Sequence, residues 1–160
     1  LVRSQAAGNM LLLLAGGDAA NAPRVEATLR QCGMSDRVRI CRHVPDNELR
    51  ALYRTARWFV TASAYEGFGY PAVEAMISEC PVICHPATSL AEIAGKAALP
   101  IPELTEQAIA DTLRTALTLE DTARNNLIAR GLAQARLFKP GTASKHFLEL
   151  LNTLSPNSRG

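Results

Sequence analysis

Short apolar runs alternate with longer amphipathic stretches along this chain, the pattern left when strand and helix take turns in a parallel sheet. Met10 to Ala15 is the first apolar run and reads as a buried strand, closed by the turn Gly16-Gly17-Asp18. Val25, Leu29 and Cys32 then recur at helical spacing up to Gly33, and Val38 to Cys41 forms the next strand. Pro45-Asp46 opens a helix with Leu49, Leu52, Tyr53 and Ala56 on one face, and Asp46 is expected to cap its free amides. Trp58 to Thr61 follows as a strand. Beyond a polar loop from Ala62 to Gly69, Pro71 stands in the first turn of a helix reaching about Glu79, where a missing amide costs no helical hydrogen bond. Pro81 to Cys84 is again a strand, Thr88 to Ala94 makes one or two helical turns, and Ala98 to Ile101 is a short strand. Glu106 to Leu117 is a helix with Ile109, Leu113, Ala116 and Leu117 inward.

From Glu120 only helical patterning remains, in two stretches separated at Lys139-Pro140-Gly141, and the polar tail after Leu154 is expected to fray. The fold class is therefore α/β, a Rossmann-like parallel sheet with helices on both faces. At 160 residues the chain holds one domain, with a sheet core over about 10–118 and closing helices over about 120–154. Leu1 to Gly8 reads as the last turns of a helix ahead of the first strand, whereas a doubly wound domain opens on a strand. The opening strand is expected to be missing.

Composition narrows the function classes. A formal net charge of +2 is too small to argue for a nucleic-acid partner. The one local concentration of basic residues, Arg37, Arg39 and Arg42, alternates with Val38 and Ile40 as the outward face of a strand does. The run from Met10 to Ala15 is far shorter than the roughly 20 residues of a membrane-spanning helix. No transmembrane segment or signal peptide is visible, and the first residue is Leu1 rather than methionine, so the true N-terminus is expected elsewhere. Cys32, Cys41, Cys80 and Cys84 form no CxxC pair and read as buried or half-buried thiols in a reducing compartment, with no metal site. A cytoplasmic location follows by default, with attachment to the inner face of a membrane left open through a segment not in hand.

The stretch from Trp58 to His85 carries the chemistry. Ligands of an open parallel sheet bind at the carboxyl ends of strands, so the loop from Ser63 to Tyr70 is where a site belongs. Gly67 and Gly69 let the backbone approach a ligand, and the amides opening the Pro71 helix offer the positive end of a helix dipole, which suits phosphate. Glu66 in the loop and Glu74 one turn inside the helix flank that anion site. The two acceptor oxygens of a carboxylate match vicinal ribose hydroxyls, a role that Glu74 can reach because helical side chains lean towards the N-terminus. Glu66 would then stand beyond the phosphates, beside a transferred hexose. Spacing alone carries little of this, since first-turn glutamates also serve the helix dipole and loop glutamates are usually solvated.

The wording adds more. EGFGYPAVEAM resembles the EGFGLPxLEAM signature of the family-4 retaining glycosyltransferases of the GT-B fold. VPDNELRALYRTARWFVTASAYEGFG and ECPVICHPATSLAEIAGKAAL are similar to that family's stretches before and after the signature, so the resemblance covers about Met10 to Leu117. It implies the C-terminal, nucleotide-sugar-binding half of a glycosyltransferase, transferring a hexose to a hydroxyl with retention from a GDP- or UDP-linked donor, without a separate cofactor or metal. Its partners would be the nucleotide sugar and an absent N-terminal acceptor domain. By the same resemblance Glu74 binds the ribose and Glu66 contacts the donor hexose as the catalytic residue. Backbone amides of Gly67, Phe68 and Gly69 hold the diphosphate or sugar. The base lies near Arg42 and His43, with further contacts from Thr88, Ser89 and Leu90.

Two departures stand out. Where relatives carry a glycine-rich turn before Leu-Pro-Glu, this chain has Thr88-Ser89-Leu90-Ala91-Glu92, with Glu92 matching the family glutamate. The Arg and Lys with which relatives neutralise the departing diphosphate come from the turn after the first strand, ahead of Leu1, so this chain alone is expected to be inactive. The alternative is a non-catalytic nucleotide- or partner-binding relic. His85 ends the fifth strand near the cleft, His146 lies on a terminal helix, and no serine stands in a GxSxG turn. A nucleotide-sugar epimerase of the same fold is the rival within enzymes, and the PATSLAEIAGKAAL wording leans towards mannosyltransferases using a GDP donor.

Overall fold

Strand and helix alternate as the pattern predicts, in a computed structural model that describes residues 10–16 and 19–138. The order is β1 (Leu12–Ala15), α1 (Ala22–Gln31), β2 (Val38–Cys41), α2 (Asp46–Thr55), β3 (Phe59–Thr61), α3 (Tyr70–Ile77), β4 (Val82–Cys84), α4 (Ser89–Ala94), β5 (Ala98–Pro100), α5 (Glu106–Thr118) and α6 (Asp121–Ala135). A 3₁₀ turn at Arg136–Phe138 follows α6. Leu1 to Gly8, the Lys139-Pro140-Gly141 break, the second closing helix and the tail lie outside the described residues.

All strand pairs are parallel, and they form two ladders rather than one sheet: β1 with β2, and β3-β4-β5. In a doubly wound sheet ordered 3-2-1-4-5-6 the first strand lies between the second and the fourth. The five strands here take the places 3-2 and 4-5-6, so the break falls where that first strand belongs. The expectation of a buried strand at Met10 to Ala15 fails for this reason. With no neighbour on its second edge among the described residues, the strand leaves Leu11, Leu12 and Leu13 at 49%, 46% and 37% exposure.

The core sits on the three-stranded ladder. Side chains alternate across it: Val82 and Cys84 join Phe59 and Ala98 on one face, Ile83 joins Val60 and Leu99 on the other. The first face is covered by Tyr53 of α2, Ala72, Val73 and Met76 of α3, Leu90, Ile93 and Ala94 of α4 and Ala135 of α6. The second is covered by α5 through Ile109, Leu113 and Ala116. Helices therefore flank both faces, and each fully buried aliphatic side chain contributes about 1.5–3 kcal/mol.

Local chemistry explains the helix ends, with one correction. Thr105 caps α5, its hydroxyl accepting from the Ala108 amide at 3.2 Å. Asp46 does not cap α2; Pro45 takes the cap position in an extended conformation without a side-chain bond, and Asp46 and Glu48 lie in the first turn, where negative charge complements the helix dipole. The cysteines also differ from expectation at Cys32, which is exposed, while Cys80 and Cys84 are buried.

Gly131 lets α6 cross α3 closely, since a Cβ there would stand 3.2 Å from Met76 Cγ inside the core. Gly131→Leu is expected to lower stability by about 1–3 kcal/mol through overpacking, read as a lower urea midpoint. Burial also pushes the Cys84 thiol up from 9.0 to about 11. The raised value means that the folded core accepts the neutral thiol. That contribution is whole below pH 9 and is lost as pH rises through about 11. The urea midpoint should therefore fall across this window, and fall less in Cys84→Ala.

Candidate functional site

The parallel pairing of β3 with β4 sets Thr61 beside Cys84, and the His85 amide extends it by donating to the Thr61 carbonyl at 3.3 Å. The chain thus leaves both strands at one edge, as the loop Ala62–Gly69 and the turn from His85 to Thr88. Ser63 tightens the first loop, its hydroxyl donating to the Tyr65 carbonyl at 2.9 Å. Glu66, half-buried, follows at the point where the two loops meet. Its amide donates to Thr88 Oγ1 at 3.1 Å, and its carbonyl accepts from Thr88 Oγ1 at 3.3 Å and from Ser89 Oγ at 2.8 Å.

Gly69 turns the loop into α3 with φ of +94°, a conformation that glycine alone adopts readily. The space is closed as well: a Cβ at Gly69 would meet Leu90 Cδ2 at 2.8 Å. Pro71, which has no amide proton, follows in the first helical turn; no side chain caps α3, and the Ala72 amide donates to the Gly69 carbonyl at 3.0 Å, so it is the positive end of the helix dipole that meets the loop. Phe68 between the two glycines is packed at 4.5 Å from the Tyr70 ring and edge-on at 5.8 Å from Phe138 beyond α6.

Glu74 is exposed on α3, and Tyr53 of α2 donates its hydroxyl to Glu74 Oε2 at 3.3 Å. The Tyr53 ring is buried and stands edge-on to Phe59 at 5.6 Å. Burial first, and then the Glu74 charge and hydrogen bond, push the phenol well above its ordinary range, so it remains a donor at any working pH. Sequence reasoning placed Tyr53 only on the inward face of its helix. The signal available was the hydroxyl itself, which needs a polar partner when a tyrosine is buried.

Of the residues singled out from sequence, Glu66, Gly69, Thr88, Ser89 and Leu90 are joined by direct contacts, with Gly67 and Phe68 between them and Glu74 on the helix that follows. Arg42 and His43 stand on the other ladder. Arg42 reaches Glu26 of α1 at 3.5 Å, and His43 adopts a left-handed φ of 51°. His85 is tethered through Nδ1 to the Ile101 carbonyl at 2.9 Å. A carbonyl only accepts, so Nδ1 carries a proton. Glu92 is exposed on α4, and its backbone carbonyl accepts from Gln134 of α6 at 3.0 Å. His146 lies outside the described residues.

A family model described as glycosyl transferases group 1 matches residues 1–134. The chain belongs to that family. Among curated relatives of this glycosyltransferase chain, O-antigen chain mannosyltransferase B of Escherichia coli is 44% identical over 101 residues, 63% of this chain and 26% of that protein. GDP-mannose:cellobiosyl-diphosphopolyprenol alpha-mannosyltransferase of Komagataeibacter xylinus is 44% identical over 66 residues, 41% of this chain and 17% of that protein. Sucrose-phosphate synthase of Thermosynechococcus elongatus superposes with a TM-score of 0.74 at 27% identity, over 92% of this chain and 39% of that one. The glycosyltransferase chain therefore spans about a quarter or less of these mannosyltransferases and well under half of the synthase. The α/β architecture is that of GT-B glycosyltransferases. Among the described residues no helix is long and apolar enough to cross a membrane.

The Tyr53–Glu74 bond is testable without any ligand. A double-mutant cycle on Tyr53→Phe and Glu74→Ala is expected to return a coupling of about 0.5–1.5 kcal/mol in urea unfolding, with the ring contact to Phe59 intact. Additive single changes would separate the two side chains.

Proposed function

We propose that this chain is the donor-binding domain of a mannosyltransferase, which takes GDP-mannose and transfers the hexose to a hydroxyl with the anomeric configuration kept. The observation that carries the reading is the pairing of Glu66, its backbone held from the neighbouring loop, with Glu74 on the helix whose uncapped first turn lies between them. The names of the relatives support mannose as the hexose and, for one of them, GDP-mannose as the donor.

In this reading the backbone of Gly67, Phe68 and Gly69, at the opening of α3, receives the diphosphate, where the helix dipole favours negative charge. Glu74 holds the ribose hydroxyl pair, its carboxylate steadied by Tyr53. The base lies towards Arg42 and His43. Glu66 orients the hexose and stabilises positive charge at the anomeric carbon, without forming a bond to it. The acceptor oxygen forms its bond to that carbon on the face from which the diphosphate departs, the sugar–phosphate bond breaks, and the acceptor proton passes to a leaving phosphate oxygen. The reaction needs no metal. Its remaining electrostatic partner, an Arg and Lys pair from a turn ahead of Leu1, and an acceptor-binding domain would complete the enzyme, so residues 1–160 alone are expected to be inactive.

Calorimetric titration of the full-length protein with GDP, UDP, GDP-mannose and UDP-glucose tests this. Selective binding of the guanosine ligands is expected, weakened roughly 10- to 100-fold in Glu74→Ala, the effect of losing hydrogen bonds to a charged group. Equal affinity in wild type and Glu74→Ala would remove the ribose role from Glu74.

A further inference from the structure

Thr88 and Ser89, which stand where the family resembled in sequence carries a glycine-rich turn, do something a glycine cannot. Thr88 sits at φ 50° and ψ −133°, a conformation that β-branched residues scarcely populate. Such a backbone persists only where its surroundings hold it, and here the side chain itself supplies the hold. Its hydroxyl accepts from the Glu66 amide at 3.1 Å and donates to the Glu66 carbonyl at 3.3 Å, and Ser89 donates to the same carbonyl at 2.8 Å. Leu90, buried to 1% exposure, fills the space under Gly69.

We propose that Thr88 and Ser89 are positioning residues for Glu66: their hydroxyls clamp both backbone polar groups of that one residue and so aim its carboxylate, while Leu90 moulds the glycine behind it. The inference rests on the proposed role of Glu66 at the donor hexose. Both hydroxyl protons are committed to the Glu66 carbonyl, so these side chains act on the donor through the loop rather than as donors to its phosphates. A loop tied at amide and carbonyl holds the root of the Glu66 side chain in one orientation, which a catalytic carboxylate requires before the substrate arrives. A glycine pair at the same place would supply the turn and leave the Glu66 backbone without these partners.

Hydrogen exchange and kinetics on the full-length protein test the clamp separately from the function. In Thr88→Ala the Ser63–Gly69 peptide is expected to exchange roughly fivefold faster, the effect of removing the acceptor that protects the Glu66 amide, and Thr88→Ser should restore the wild-type rate. Unchanged exchange in Thr88→Ala/Ser89→Ala would overturn the clamp. With GDP-mannose as the probe and water as acceptor, kcat in Thr88→Ala should fall roughly 10- to 100-fold, while affinity for GDP, which lacks the hexose, stays within about twofold. Faster loop exchange with unchanged kcat, or an equal loss of GDP affinity, would overturn the positioning role. If wild type neither binds GDP nor consumes GDP-mannose, the proposed function fails, and the exchange pattern alone then decides whether the clamp exists.

Discussion

The parallel pairing of β3 with β4 is the constraint on which the site depends. Register at Thr61 and Cys84 makes both strands end at one level, so their following loops must leave side by side. The core enforces that register: Val82 and Cys84 face the α2, α3, α4 and α6 side, while Ile83 faces α5. A slip of one residue would exchange these faces and bring Ile83, fully buried against α5, into the space made for smaller neighbours. Glu66, Thr88 and Ser89 can meet only because that slip is excluded. The geometry of the candidate site is thus inherited from aliphatic packing five to seven residues upstream.

Much of this was legible in the sequence because it depends on local signals. Apolar runs located every strand to within two residues, Pro71 marked the start of α3, and the wording around Glu66 and Glu74 singled out one of the two loops that the β3–β4 pairing sets side by side. Three features were not legible, each because its cause is tertiary. Asp46 looked like a helix cap, but Pro45 enters α2 in an extended conformation that already sets the helix start. Tyr53 read as one more inward residue, since no sequence pattern pairs a hydroxyl on α2 with a carboxylate 21 positions later. Thr88 looked like a loss of backbone freedom; only the structure reveals a hydroxyl that compensates for it.

The broken sheet has the most instructive cause. The run Leu11-Leu12-Leu13 is composed for burial, and an unpaired β1 edge exposes it. Apolarity announced a buried strand, and the edge of β1 that is unpaired among the described residues is why the leucines are exposed there. Sequence patterning describes the environment in which a segment is stable, which is not always the environment that the described residues provide.

That break also divides the proposed donor site. Glu66, Glu74, Thr88 and Ser89 belong to the three-stranded ladder, and Arg42 and His43 to the two-stranded one. No strand pairing among the described residues fixes one ladder against the other, so the separation between base and hexose contacts is not set by the sheet as it stands. A nucleotide sugar spans that separation as a molecule of fixed length, and therefore binds well only when both ladders are held at the matching spacing. In the doubly wound order a strand between β1 and β3 would impose the spacing through two ladders of hydrogen bonds, and its carboxyl-end turn would open between the two groups of proposed contacts. The same element would bury the three leucines, join the sheet and align the two halves of the donor site. In the proposed reading folding and donor recognition would thus be coupled at one strand position, and the residues around Glu66 are the part of the proposed site that the three-stranded ladder organises by itself.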